Sequence, residues 1–294
     1  VHILADMDLL RLEPDFDPRG ATALVVALDG WTDAGSGATT AADALRDATP
    51  GTRVGEIDPD GVFDFRDRRP LVPIDGGKFG AMRWPEIAMY RLDPPDAAPF
   101  LLLTGSEPDF AWKAIGADLV ELVHAIGLTD YVGLGSVPGP VPHTRPVRVT
   151  TTSNDDGLLA RFGHSHEQMV VPASAQVTIE VALGELGLRT LGLWARVPHY
   201  VAGDYPAAAG MLLRRLGEHL GFAPETGELD SEAVAHRERL DEAAGNSEDV
   251  ATHITALEGA YDADAADDAG LPGPLPTGEQ IAEELEQFLR KRDP

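Results

Sequence analysis

Four short apolar runs punctuate the first two thirds of the chain: residues 22–29, residues 98–104 (APFLLLT), YVGLGSV from Tyr131 and TLGLWARV from Thr190. Each is bounded by turn-forming residues, and none alternates apolar with polar positions. Runs of this length predict strands buried on both faces. Helical spacing lies between several of them. Trp112, Ile115, Leu119, Leu122, Val123 and Ile126 recur at steps of three and four, as do Met211, Leu212, Leu216 and Leu220. Strands alternating with helices predict an α/β fold, a mostly parallel sheet covered on both sides. Residues 53–92 read differently. Their short pieces VGEI, VFDF, LVPI and IAMYRL are punctuated by proline and suggest meandering strands at one edge.

The pattern changes after Phe222. Residues 223–294 carry 19 acidic and 5 basic side chains and no strand-like run. Val250, Ile254, Leu257 and Tyr261 mark an amphipathic helix. Thr277 and Gln280 form a capping-box pattern before a last helix with Ile281, Leu285, Phe288 and Leu289. The expected division is therefore a core over residues 1–222 and an acidic helical extension over residues 223–294. The apolar stripes of the extension need a surface to cover them, on the core or on a neighbouring subunit.

Composition narrows the function classes. The 294 residues are 43% hydrophobic and 24% charged, with a formal net charge of −26. So acidic a chain is a poor partner for nucleic acid or an anionic membrane surface. No apolar run approaches the roughly 20 residues of a membrane span, and the cytoplasm is the expected location. Cysteine is absent, which removes disulfides, thiolate metal sites and a cysteine nucleophile. The only lysines are Lys78, Lys113 and Lys291.

The first strand runs into DGWTDAGSG, a glycine-rich turn before an alanine-rich helix. Strand, glycine loop and helix are the parts of a phosphate cradle. The letters do not complete it: Gly35 is followed by Ser36 and Gly37 rather than Lys and Ser/Thr, and the glycine spacing is not G-x-G-x-x-G. Asp29 and Asp33 would also repel a phosphate. A tight crossover is the better reading. Mg-ATP titrated calorimetrically is expected to show no dissociation constant in the low micromolar range.

Each of the four core strands is followed by a loop rich in functional residue types. They carry Asp29, Trp31 and Asp33; Glu107, Asp109 and Trp112; His143, Thr144 and Arg145; and His199 and Tyr200. Ligands of open α/β sheets bind beyond the carboxyl ends of strands, so these loops define a candidate cleft. Glu107 and Asp109 suit general acid–base work, but equally suit capping of the helix that opens at Trp112. His143 and Arg145 suit an anion, or a proline-locked corner with Arg145 paired to a carboxylate, Asp33 or Glu107 being the natural partners. His164 and His166 read as two imidazoles on one strand face without a third ligand, so no metal is expected. No G-x-S-x-G elbow is present, and no cofactor is expected.

Taken together, GWTDAG, IDPDGVFDFRDRRP, WPE at Trp84–Glu86, GSEPDFAWK, PHTRPVRVT and LWARVPHYVA resemble the actinobacterial branch of the proteasome assembly chaperone 2 family, and LEGAYDADAADDAGLPG and EELEQFLRKR extend the match into the tail. One departure is VPASAQVTIEVAL from Val171, where the family usually carries a GPTG-type turn. The resemblance implies a three-layer α/β/α sandwich like that of phosphorylases and some hydrolases, a C-terminal helical hairpin and a homotrimer. Two functions follow as expectations. One is a non-catalytic oligomeric scaffold or assembly chaperone with a protein client. The other is a small-molecule enzyme, phosphorylase- or hydrolase-like, with its cleft at the carboxyl ends of the core strands.

Overall fold

The structure is a computed structural model and describes residues 7–165 and 168–268. Its centre is an eight-stranded mixed sheet. The strands are β1 (Leu10–Leu12), β2 (Ala23–Leu28), β3 (Gly51–Ile57), β6 (Ile87–Leu92), β7 (Phe100–Gly105), β8 (Asp130–Gly139), β9 (Val149–Ser153) and β10 (Arg189–Pro198), in the order β1-β3-β6-β7-β2-β8-β10-β9. A separate two-stranded hairpin pairs β4 (Ile74–Asp75) with β5 (Lys78–Phe79).

The four apolar runs form the parallel centre β7-β2-β8-β10. Strand β9 and the group β1-β3-β6 flank it with antiparallel pairings, so parallel character is confined to the middle. The chemistry matches. Strand β2 is buried at all six positions, with Ala23, Val25 and Ala27 facing one core and Leu24, Val26 and Leu28 the other. A strand buried on both faces has no use for polar alternation.

Helices α1 (Gly37–Ala48) and α5 (Pro206–Leu220) cover the first face, and α2 (Trp112–Ile126) and α4 (Ala175–Glu185) the second. Ala38, Ala41 and Ala42 of α1 lie in one core with Ala208 and Ala209 of α5. Small side chains there let the two helices approach closely. On the second face, the Asp118 carboxylate of α2 accepts backbone N–H bonds from Asp8, Leu9 and Leu10, tying the amino-terminal strand down.

Of the region expected to meander, VGEI and IAMYRL form β3 and β6 and Ile74 of LVPI enters the β4–β5 hairpin, whereas VFDF is a turn and not a strand. The short helix α3 (Asp156–Phe162) places His164 in the loop that follows it, so the histidine pair expected on a strand is not there; His166 lies outside the described residues. Beyond Phe222 the described residues form α6 (Gly227–Gly245) and α7 (Glu248–Asp268) and no strand. The final helix expected around Ile281–Leu289 lies outside the described residues. Among the described residues no helix is long and apolar enough to cross a membrane.

Candidate functional site

Strands β7 and β2 are neighbours, yet α1 leaves β2 for one face of the sheet and α2 leaves β7 for the other. That divergence is a topological switch point, where loops open a crevice beyond the strand ends. Asp29 and Glu107 sit at its mouth. Asp29 accepts hydrogen bonds from Arg68 Nη1 (2.9 and 3.1 Å), Ser106 Oγ (3.1 Å) and the Glu107 backbone N–H (2.8 Å). Glu107 accepts from the Trp31 N–H through Oε2 (3.1 Å) and from the Ala175 N–H, the first residue of α4, through Oε1 (2.8 Å). Gly30 makes this possible. It holds φ at +95°, and an added Cβ would lie 2.6 Å from Glu107 Oε2.

Neither Glu107 nor Asp109 caps the helix that opens at Trp112, and only Glu107 caps a helix at all. The residue before α2 is Ala111, which makes no side-chain cap. Glu107 instead satisfies the amino terminus of α4, beside Ser174, whose hydroxyl accepts from the Val177 N–H. Asp109 accepts from the Asp64 N–H at 2.7 Å, and Arg68 Nε lies 3.9 Å from it. Trp112 donates its indole N–H to the Pro108 carbonyl at 2.6 Å. Arg68, absent from the expected site, is the cation that joins Asp29 to Asp109. The acidic strand end was the available signal for such a partner, and the arginine-rich FRDRRP stretch the place to seek it.

Asp33 has a different task. Its carboxylate accepts from the N–H groups of Ala38 (2.7 Å) and Thr39 (3.3 Å) and from the hydroxyls of Thr39 (2.5 Å) and Ser136 (3.4 Å). It closes the start of α1. Burial pushes its pKa up, and the Thr39 hydroxyl and the amides of α1 oppose that shift.

The third and fourth loops are claimed by the carboxyl-terminal helices. His143 is buried. Tyr200 Oη accepts from the His143 N–H (2.8 Å) and lies 2.7 Å from Nδ1, while Nε2 faces Asp241 of α6 at 3.1 Å. One proton arrangement serves all three: the tyrosine hydroxyl donates to Nδ1, and Nε2–H donates to the carboxylate. Thr144 donates to Glu258 of α7. Arg145 bonds Asp262 at 2.7 and 2.8 Å and Glu258 at 3.1 Å. His199 Nδ1 donates to the Gly139 carbonyl (3.2 Å), which leaves Nε2 to accept from His253 of α7 (3.3 Å). Burial, then His199, holds His253 below its ordinary pKa.

Arg145 therefore pairs with neither Asp33 nor Glu107. An arginine fork chooses the carboxylates that reach it bidentately, and those belong to α7, more than a hundred residues away. The four loops form two sets with separate partners: Asp29, Trp31, Glu107 and Asp109 with Arg68 and α4, and His143, Thr144, Arg145, His199 and Tyr200 with α6 and α7. Asp33 belongs to α1. Arg145→Ala is expected to loosen α7 and lower the melting temperature. Amide hydrogen exchange should show the loss of protection confined to α7 and the 143–149 loop, and unchanged exchange there would refute the latch.

Chemically, the polar groups of these loops are spent on one another. Among the described residues no group of three or more His, Asp or Glu side chains could hold a metal ion. Large apolar side chains are left outside: Trp31 (65% exposed), Phe110 and Trp84, the last edge-on to Phe65 at 4.8 Å.

An α/β/α sandwich whose strand-end loops are locked internally and strapped by a helical hairpin defines a class more than a reaction. A family model described as the PAC2 family matches residues 27–244, and the chain belongs to that family. Among solved structures it is similar to a Mycobacterium tuberculosis protein of unknown function, with 34% identity over 90% of this chain and 92% of that one and a TM-score of 0.82. A proteasome-assembly chaperone homologue from the same organism is 26% identical over 79% of this chain and 100% of that one, with a TM-score of 0.74. A PAC2 family protein from Streptomyces avermitilis is 30% identical over 79% and 99%, with a TM-score of 0.69. No curated protein matches the chain.

Proposed function

We propose that the chain is a non-catalytic, homo-oligomeric scaffold of the assembly-chaperone type, acting through protein–protein contacts, with residues 223–294 as an extension whose helices α6 and α7 strap over the core loops. One observation supports this most. The carboxylates, histidines and arginine that a catalyst would keep free are bonded within the protein, to its own loops and helices, while aromatic side chains at the same edge face solvent. Exposed aromatic surface marks interaction sites. The family and the neighbour described as a proteasome-assembly chaperone homologue point the same way, with proteasome subunits as the client to try first.

The experiment mixes the full chain with separately purified proteasome α and β subunits from its own organism and follows assembly by native mass spectrometry. Faster formation of assembly intermediates, lost in Trp31→Ser/Phe110→Ser, is the expected result. No complex with either subunit would remove the proteasome client. The position of Asp29 and Glu107 at the switch point favours the small-molecule reading instead, and a thermal-shift screen separates the two. A ligand that raises the melting temperature and loses its effect in Asp29→Asn would favour the enzyme.

A further inference from the structure

Residues 71–84 form an arm with no core of its own. Leu71 and Arg83 bridge, β4 pairs with β5, and Gly76 and Gly77 turn the chain between them with φ of +54° and +78°, the conformation a tight hairpin turn demands. Ile74 is 65% and Phe79 77% exposed, and Leu71, Met82 and Trp84 are exposed beside them. A lone two-stranded hairpin is marginal in water, and contiguous apolar surface of this kind is rarely left uncovered.

Its charge is as unusual as its exposure. Residues 66–83 carry five basic and two acidic side chains in a chain of net charge −26. Arg69, Lys78 and Arg83 are exposed and make no ion pair among the described residues. The opposite pole is the helical hairpin. Helices α6 and α7 hold thirteen acidic side chains and two arginines. Val234, Glu238 and Glu242, at successive steps of four, line the outer face of α6, away from its contact with α5. All three are exposed, Val234 at 60%, and neither glutamate is ion-paired among the described residues.

We infer that the basic, apolar arm of one copy docks on the outer face of α6 of a second copy. Like-charged faces of so acidic a protein repel each other. Self-association is therefore favoured where this basic, apolar projection meets the acidic helix, with Val234 and the glutamates receiving Phe79, Lys78 and Arg83. Arm and helix face are different surfaces, so the contact is heterologous and adds copies head to tail until the rotation closes a ring. This rests on the oligomeric reading above and names the surface that makes it.

Light scattering on the full chain at micromolar concentration tests it with three variants: Lys78→Glu/Arg83→Glu, Glu238→Arg/Glu242→Arg, and all four changes together. The altered positions are exposed, and circular dichroism melts confirm that each variant folds. The wild type should be oligomeric, each double variant should dissociate at least tenfold more readily, and the quadruple variant should reassemble. Added salt should weaken the wild-type contact. An arm variant as oligomeric as the wild type would overturn this surface while leaving the oligomer standing, as would a quadruple variant that stays monomeric. A monomeric wild type would overturn both.

Discussion

Glu180→Gln is expected to flatten the fall in stability of this protein between pH 5 and pH 8. Glu180 lies on α4 facing β10, buried, with Oε1 accepting from Thr152 Oγ1 at 2.7 Å and Oε2 without a partner among the described residues. Thr152 in turn accepts the Trp194 indole N–H at 3.0 Å. Burial pushes the carboxyl up to about 7, with the Thr152 bond opposing. The sign follows from linkage. A folded-state pKa above the unfolded value means that the folded protein binds the proton more tightly, so the benefit is complete below about pH 4.5. It is then lost as pH rises through 7. From the ordinary glutamate value to about 7 the loss is roughly 3 kcal/mol, at about 1.4 kcal/mol per unit.

Glutamine has the same shape and no titration. The difference between wild-type and variant stability, measured by urea unfolding at half-unit pH steps, therefore isolates this one group from the general self-repulsion of an acidic chain. Parallel curves for the two proteins would mean that Glu180 is solvated in solution. A gap that opens above about pH 4.5 and levels off above about pH 7 is the expected result.

Glu180 also marks where sequence reading reaches its limit. The four central strands were legible because burial on both faces writes an uninterrupted apolar run, and α2 and α5 because one buried face writes a period of 3.6. Strand β9 reads VTTTS, polar letters that face an edge and α4, and writes no apolar run. Helix α6 is equally quiet, since its inward face is made of Leu229 and Leu240 with only Ala233 and His236 between them. Local letters name the residue types at a site but not their partners. His143, Arg145 and His199 stand out as unusual in their loops, yet nothing near them in the chain says that Asp241, Glu258, Asp262 and His253 will arrive between 54 and 117 residues later. Only the fold says that. Glu107 is the mirror case: the right kind of role, assigned to the helix that follows it rather than to α4, which the fold brings alongside.

That assignment gives the second large effect. Glu107→Ala should cost about 3 kcal/mol. It removes two charge-assisted acceptors at once, each worth roughly 1.5–3 kcal/mol when the donor is left without a partner. Water reaches this partly buried edge and offsets some of the loss. The two abandoned donors are the Trp31 N–H in the β2 loop and the Ala175 N–H at the start of α4, so the damage should spread to segments that are distant in sequence. Hydrogen exchange should rise together at residues 30–33 and 174–178. Glu107→Gln keeps one acceptor oxygen but turns an N–H₂ toward one of the two amides, so it should recover about half of the loss. The graded pair separates the two views of this residue. A side chain that works as a clamp gives alanine worse than glutamine in the urea midpoint, and both variants keep partner binding once folded. A side chain that works as an acid or base gives the reverse, with midpoints close to wild type and a ligand-dependent property abolished equally by both changes.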